Sequence, residues 1–407
     1  MPRTVRPSTP VRAAPFPWVG LIALSAAVFL SVTSEMLPTG LLPEMSRSLG
    51  VSQSQVGLLV TWFAFTVVIT STPVALLVRR LPRHGLIVAV LVVFALSNVL
   101  TAIAPSYAFV VFSRVLGGLA HGLFWTVVGA YAGHLVPKEQ IGRAVSITVA
   151  GGTLAFVFGV PIATAAGHTL GWRLAFVVLA GLMLVGALLV WRFLPPVEHY
   201  GARKTDAAPA AGDAAHTLRG DPTLSPVLLL CFITALTMIG HYTFYTYIAP
   251  FLIDQLGVRA DAVAPLLFGY GIAGAVGLVL VGTVFGPRPQ LGLVLGIAVC
   301  AVSVSVLAVF TTTLPVALGA FLLWGMAFGI LPPLLQTRML HTASHRIRDA
   351  ASAFYTTAFN FGIGGGALLG AVLLDAVGLH AVPLAYAGIL AAALVLVVVT
   401  GLAVKRR

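Results

Sequence analysis

Apolar residues run from Trp18 to Leu42, broken by a single charge at Glu35, give way to a polar stretch, and then resume; this rhythm continues to the end of the chain. At about 20 apolar residues per bilayer crossing, the pattern predicts helices over 18–42, 55–78, 85–104, 107–135, 144–168 and 172–194. A second set is predicted over 226–253, 262–285, 290–310, 315–337, 350–374 and 380–404. Between the sets, 195–225 is rich in Ala, Pro, Gly and charge and reads as a cytoplasmic linker. Residues 1–17, with Arg3, Arg6 and Arg12 among prolines, read as a disordered cytoplasmic leader ahead of an uncleaved first helix. Residues 405–407 read as a short tail on the same side. The expected fold is an all-α polytopic membrane protein with 12 transmembrane helices in two six-helix pseudo-symmetric bundles, 18–194 and 226–404.

The second set repeats the first. Shifted by 207 residues, PEMSRSLGVSQSQVGLL (43–59) falls on PFLIDQLGVRADAVAPL (250–266), with Pro43, Leu49, Gly50, Val51 and Val56 meeting identical residues. The same offset carries Gly118 onto Gly325, Gly122 onto Gly329, Gly159 onto Gly366 and Gly171 onto Gly378. Parallel repeats of this kind occur in transporters. Glu35 lands on Tyr242, so the halves match in shape and differ in charge.

Composition agrees: 59% of residues are hydrophobic and 8% charged, against about 25% charged in soluble domains. The net charge of +12 invites a nucleic-acid reading, but the basic residues are distributed by topology. Of the 23 Lys and Arg, 19 fall on the side of the N-terminus; Arg47, Arg173 and Arg259 lie opposite, and Arg114 lies inside a helix. That asymmetry places both termini in the cytoplasm and leaves nothing for nucleic acid. Cys231 and Cys300 lie in apolar runs with no second ligand at metal spacing and read as buried free thiols. No phosphate-binding loop occurs, which excludes ATP-driven transport by this chain alone, and no cofactor is implied.

Six plus six helices with a basic central linker resemble the major facilitator superfamily. SEMLPTGLLPEMSRSLGVS (34–52) and HYTFYTYIAPFL (241–252) are similar to its drug:proton antiporter-1 group, in the sugar-efflux and arabinose-efflux-like branch. RVLGGLAHGLFW (114–125), Gly-Val-Pro at 159–161 and GWRLAF (171–176) extend the likeness over essentially the whole chain. The family's loop between helices 2 and 3 carries Gly, then Asp four residues on; here Ala75 and Arg79 stand at those places. The helix 5 motif also departs, with Val160 between Gly159 and Pro161 and Ala163 where glycine is common. The resemblance implies a bacterial inner-membrane secondary transporter, monomeric, exporting a small organic molecule in exchange for protons. A drug-like amphipathic compound is the expected cargo. Sugar or nucleoside efflux, or an importer or uniporter of the same fold, is the alternative.

The chemistry concentrates on few residues. Of eleven acidic residues, Glu35 alone lies well within a span, and intramembrane charges face the bundle interior and act there. Arg114 falls at about the same depth, so the two are candidates for proton coupling: a carboxyl between a guanidinium and an apolar wall is set to exchange a proton. Arg114, Gly118, His121 and Trp125 recur at i, i+4, i+7 and i+11, one helical face. His241 and Tyr245, with Tyr242 at the repeat position of Glu35, form a stripe on helix 7. Thr39, Trp62, Phe65, Asn98, Gln336, Asn360 and Phe361 complete the expected substrate cavity. An intramembrane enzyme would need a second buried acid or a nucleophile with its base, and none is in reach.

Overall fold

Each apolar run becomes a helix because a backbone in lipid must satisfy its own hydrogen bonds. The computed structural model describes residues 16–78, 81–137, 140–195 and 220–405, and has twelve helices long and apolar enough to span a membrane. They are α1 Trp18–Gly40, α2 Gln53–Val78, α3 Arg83–Ile103, α4 Tyr107–His134, α5 Ile141–Leu170 and α6 Trp172–Phe193. The second six are α7 Leu224–Tyr245, α8 Ala260–Phe285, α9 Pro289–Val309, α10 Leu314–Thr342, α11 Arg348–Ala376 and α12 Ala381–Lys405. No strand occurs among the described residues. The leader to residue 15, most of the linker, Arg79 and Lys138 fall outside them, as does the side chain of Ala75.

One expected helix ends slightly early and another is interrupted. The run predicted over 18–42 stops at Gly40, and a separate short helix, Leu42–Leu49, follows. Helix 7, predicted to 253, stops at Tyr245 and resumes as Ile248–Pro250 and a π-turn, Phe251–Gln255. Pro43 and Pro250, equivalent under the 207 offset, explain both breaks: a proline lacks the N–H that would continue the ladder, and its ring crowds the carbonyl four residues earlier. In α5, Pro161 is accommodated by a π-turn over Ala155–Gly159.

The repeat holds in three dimensions. All four described glycines with positive φ pair at 207: Gly50 (65°) with Gly257 (66°), and Gly171 (89°) with Gly378 (103°). Each ends a helix or turn in a conformation that side chains resist. Helix packing repeats too. In the first half α1 packs on α5 and α6, α3 on α4 and α6, and α2 on α4; in the second, α7 packs on α11 and α12, α9 on α10 and α12, and α8 on α10. A Cβ at Gly118 would come 2.7 Å from the carbonyl of Phe63, and one at Gly325 would come 2.8 Å from that of Tyr270, the residue 207 positions after Phe63. Small residues thus let backbones touch at equivalent crossings.

The halves meet along α2–α11 and α5–α8. Thr61 Oγ1 donates to the Gly364 carbonyl at 3.0 Å, and Gly271 lies against the backbone of Phe156 and Val157. Here "outer" denotes the end carrying the α1–α2 and α7–α8 links, and "inner" the end carrying the termini. α8 packs on Ala155–Leu170, the outer part of α5. Residues 30–42 and 240–252 are buried without exception, whereas the inner turns of α1 and α7 alternate between buried and exposed. The bundle is sealed at its outer end.

Candidate functional site

Pro38 creates the first feature of the site. Within α1 it leaves the Ser34 carbonyl without its helical donor, and Arg114 of α4 supplies one. Its Nη1 donates to Ser34 O at 2.9 Å and its Nη2 to Glu35 O at 2.8 Å. The guanidinium carbon lies 4.4 Å from the Phe63 ring centroid, a buried cation–π contact. Arg114 therefore binds the backbone of α1 and acts on the Glu35 carboxylate at longer range.

Glu35 itself is 4% exposed. Its Oε2 lies 3.5 Å from His121 Nε2, and its Oε1 has no hydrogen-bond partner among the described residues. The His121 ring is held between the edges of Phe63 and Phe94, at 5.2 and 6.0 Å. The indole N–H of half-buried Trp125, one turn further along α4, donates to the same Nε2 at 2.7 Å. Four consecutive residues of the helix 4 face thus split into two roles: Arg114 and His121 meet Glu35, with Trp125 joined to them through His121, while Gly118 is turned to α2.

Across the seam the second half offers rings instead of charges. Tyr242 interacts electrostatically with Glu35. His241 stacks on Phe328 at 3.4 Å and on Tyr245 at 5.1 Å, with Trp324 at 5.4 Å. Tyr245 reaches Phe156 of α5 at 6.3 Å. The Trp324 indole donates to the Tyr386 hydroxyl at 3.2 Å. Under the offset, Phe328 is the counterpart of His121 and Tyr242 that of Glu35, so a phenyl and a phenol stand where the first half has its acid–imidazole pair, and His241 stacks on that phenyl.

The remaining expected cavity residues lie elsewhere. Thr39 is bonded back to the Met36 carbonyl. Asn98 is one step removed, accepting from Ser34 Oγ at 2.8 Å. Trp62 on α2 is half exposed. Phe65 stacks on Phe361 at the α2–α11 seam. Phe361 also lines a shallow apolar groove with Leu228, Phe232 and Phe354 between α7 and α11. Asn360 bonds to its own helix at Thr356, and Gln336 is exposed near the inner end of α10.

The family model of the Major Facilitator Superfamily matches residues 24–365. The chain belongs to that superfamily. It is a membrane transporter rather than an enzyme. The chain is 34% identical over 379 residues to a chloramphenicol efflux pump of Mycobacterium tuberculosis (strain ATCC 25618 / H37Rv), covering 91% of this chain and 88% of the relative. It is 30% identical to a probable sugar efflux transporter of Helicobacter pylori (strain ATCC 700392 / 26695), covering 89% and 90%. Among solved structures, the fold matches a D-xylose–proton symporter (TM-score 0.77, 17% identity, 94% and 97% covered). It also matches a bacterial homologue of the lysosomal transporter Spinster in an inward-facing, occupied conformation (0.72, 18%, 95% and 96%).

Sequence reasoning about this facilitator missed Phe63, Trp324, Phe328 and Tyr270. A signal existed for all four. Phe321, Trp324 and Phe328 recur at i, i+3 and i+7 on α10, one helical face, and Tyr270 is the repeat mate of Phe63. The Ser34 carbonyl that Arg114 binds had a signal too, since Pro38 stands four residues after it.

Proposed function

We propose that this facilitator exports a small, drug-like organic molecule in exchange for protons, as a monomer in a bacterial inner membrane with both termini cytoplasmic. Its two halves, 18–194 and 226–404, rock about the Glu35 site, so that the site faces each side in turn. One observation carries the reading: a fully buried carboxyl sits on an imidazole, with one oxygen unpartnered, where the charged half meets the aromatic half. Such a group holds a proton that it can exchange for cargo. The gradient supplies about 1.4 kcal/mol per pH unit, and the potential about 2.3 kcal/mol per charge per 100 mV. The efflux relatives support outward transport. The probable sugar efflux relatives favour sugar as the second cargo class, since pyranose faces also stack on aromatic rings.

The test is a toxic-compound panel on an efflux-deficient bacterium expressing wild type or Glu35→Gln at matched membrane levels. Protection by wild type and none by the variant is the expected result. Equal protection by both removes Glu35 from coupling. Protection by neither, together with outward flux of labelled sugar, selects the sugar reading.

A further inference from the structure

Two groups claim one lone pair at His121. A neutral imidazole nitrogen that accepts a hydrogen bond has a single in-plane lone pair, and the Trp125 N–H occupies that of Nε2 at 2.7 Å. The same Nε2 faces Glu35 Oε2 at 3.5 Å. In this tautomer the proton sits on Nδ1, which has no partner among the described residues. The other groups around the pair take no proton from Glu35: Arg114 on α4 only donates, Phe63 on α2 and Phe94 on α3 are apolar, and Tyr242 on α7 is a phenol. Trp125 is half-buried and lies one turn nearer the inner end than His121.

We propose that Trp125 couples cargo to proton: its indole N–H closes His121 Nε2 while the site is empty, and cargo stacking on the indole draws it away and opens Nε2 to the proton of Glu35. This rests on the proton-exchange reading above. The step balances within the pair. The O–H bond of Glu35 breaks and an N–H bond forms on Nε2, leaving a carboxylate and an imidazolium. Loss of the Nε2 proton to the inner side restores the neutral Nδ1–H ring, Trp125 closes Nε2 again, and Glu35 takes its next proton from the outer side.

Trp125→Phe keeps the stacking face and removes the N–H. The infrared carbonyl band of protonated Glu35, assigned by its loss in Glu35→Gln, is read on full-length protein in nanodiscs at neutral pH without cargo. The expected result is a band reduced at least twofold in Trp125→Phe, because Nε2 is permanently open. Chloramphenicol as probe is expected to reduce the wild-type band and leave the variant's unchanged. A cargo-free variant band equal to wild type overturns the proposal. A reduced variant band beside a wild-type band that ignores chloramphenicol supports the closure of Nε2, and counts against that compound as cargo.

Discussion

At the scale of single residues, Pro38 and Arg114 form one unit although no bond joins them. The proline removes a donor from α1 and the arginine replaces it, so the guanidinium satisfies a buried carbonyl that would otherwise cost about 1–3 kcal/mol. Arg114→Gln is expected to destabilise by about 3–5 kcal/mol, since Glu35 and two carbonyls lose their cation. In Pro38→Ala the restored N–H serves Ser34, and Arg114→Gln in that background should cost about 1 kcal/mol less. Thermal unfolding of the four proteins of this cycle checks it, and strict additivity would refute the link. The sequence suggested an Arg114–Glu35 relation from equal depth, but not that the contact runs through backbone. Depth along a helix says nothing about which atom of a neighbour a long side chain reaches. Outside the membrane, Asp221 ties the start of α7 to the α10–α11 loop. It accepts from Ser344 Oγ at 2.5 Å and from the Thr223 hydroxyl and N–H at 2.6 and 2.8 Å. Those bonds, with Arg346 nearby, hold its carboxyl below the usual carboxylate range. The stabilisation is therefore present above the unfolded carboxylate pKa and is lost as pH falls through the lowered folded value. Wild type should lose thermal stability in that acid window, and Asp221→Asn should be weaker at neutral pH and flatter through it.

At the scale of helices, close approach is set by which glycines meet backbone. In α10 a Cβ at Gly329 would run into the backbone of Gly274 on α8, whereas one at Gly319 would meet nothing within 4 Å. Gly319→Ala is expected to be neutral or to stabilise by about 0.5–1 kcal/mol, because alanine costs the helix less entropy. Gly329→Ala must push two helices apart, at a cost of about 1–3 kcal/mol or more. Size-exclusion profiles and melting temperatures of the two variants in detergent test the contrast; equal behaviour would mean that α8 and α10 do not cross where Gly274 and Gly329 place them. The sequence showed both glycines and could not rank them, since ranking needs the partner helix. Helix positions were legible to within a few residues because bilayer thickness fixes span length. The end of α1 was read two residues late, at 42, whereas the break after Tyr245 was not read although Pro250 marks it, because the apolar run continues to Ile253.

At the scale of the molecule, the 207 offset was legible as shared glycines and prolines, and the structure expresses it as matching turns and helix crossings. What the offset cannot convey is which end of the bundle is sealed, since a repeat is indifferent to the state of a transporter. The outer seal is a property of packing: α1 and α7 are buried throughout their outer turns and α8 lies on the outer part of α5. That arrangement has a direct consequence for reagents. With Cys231 and Cys300 replaced, Gln336→Cys should react with a membrane-impermeant maleimide in inverted vesicles and resist it in right-side-out vesicles, because Gln336 is exposed near the inner end of α10. Thr39→Cys, 1% exposed in the outer seal, should resist from both sides. Labelling of Thr39→Cys in right-side-out vesicles alone would mean that the outward-open state dominates in the membrane. Labelling of Gln336→Cys from the outside would reverse the orientation expected from the basic loops, and with it the direction in which Glu35 would have to pass its proton.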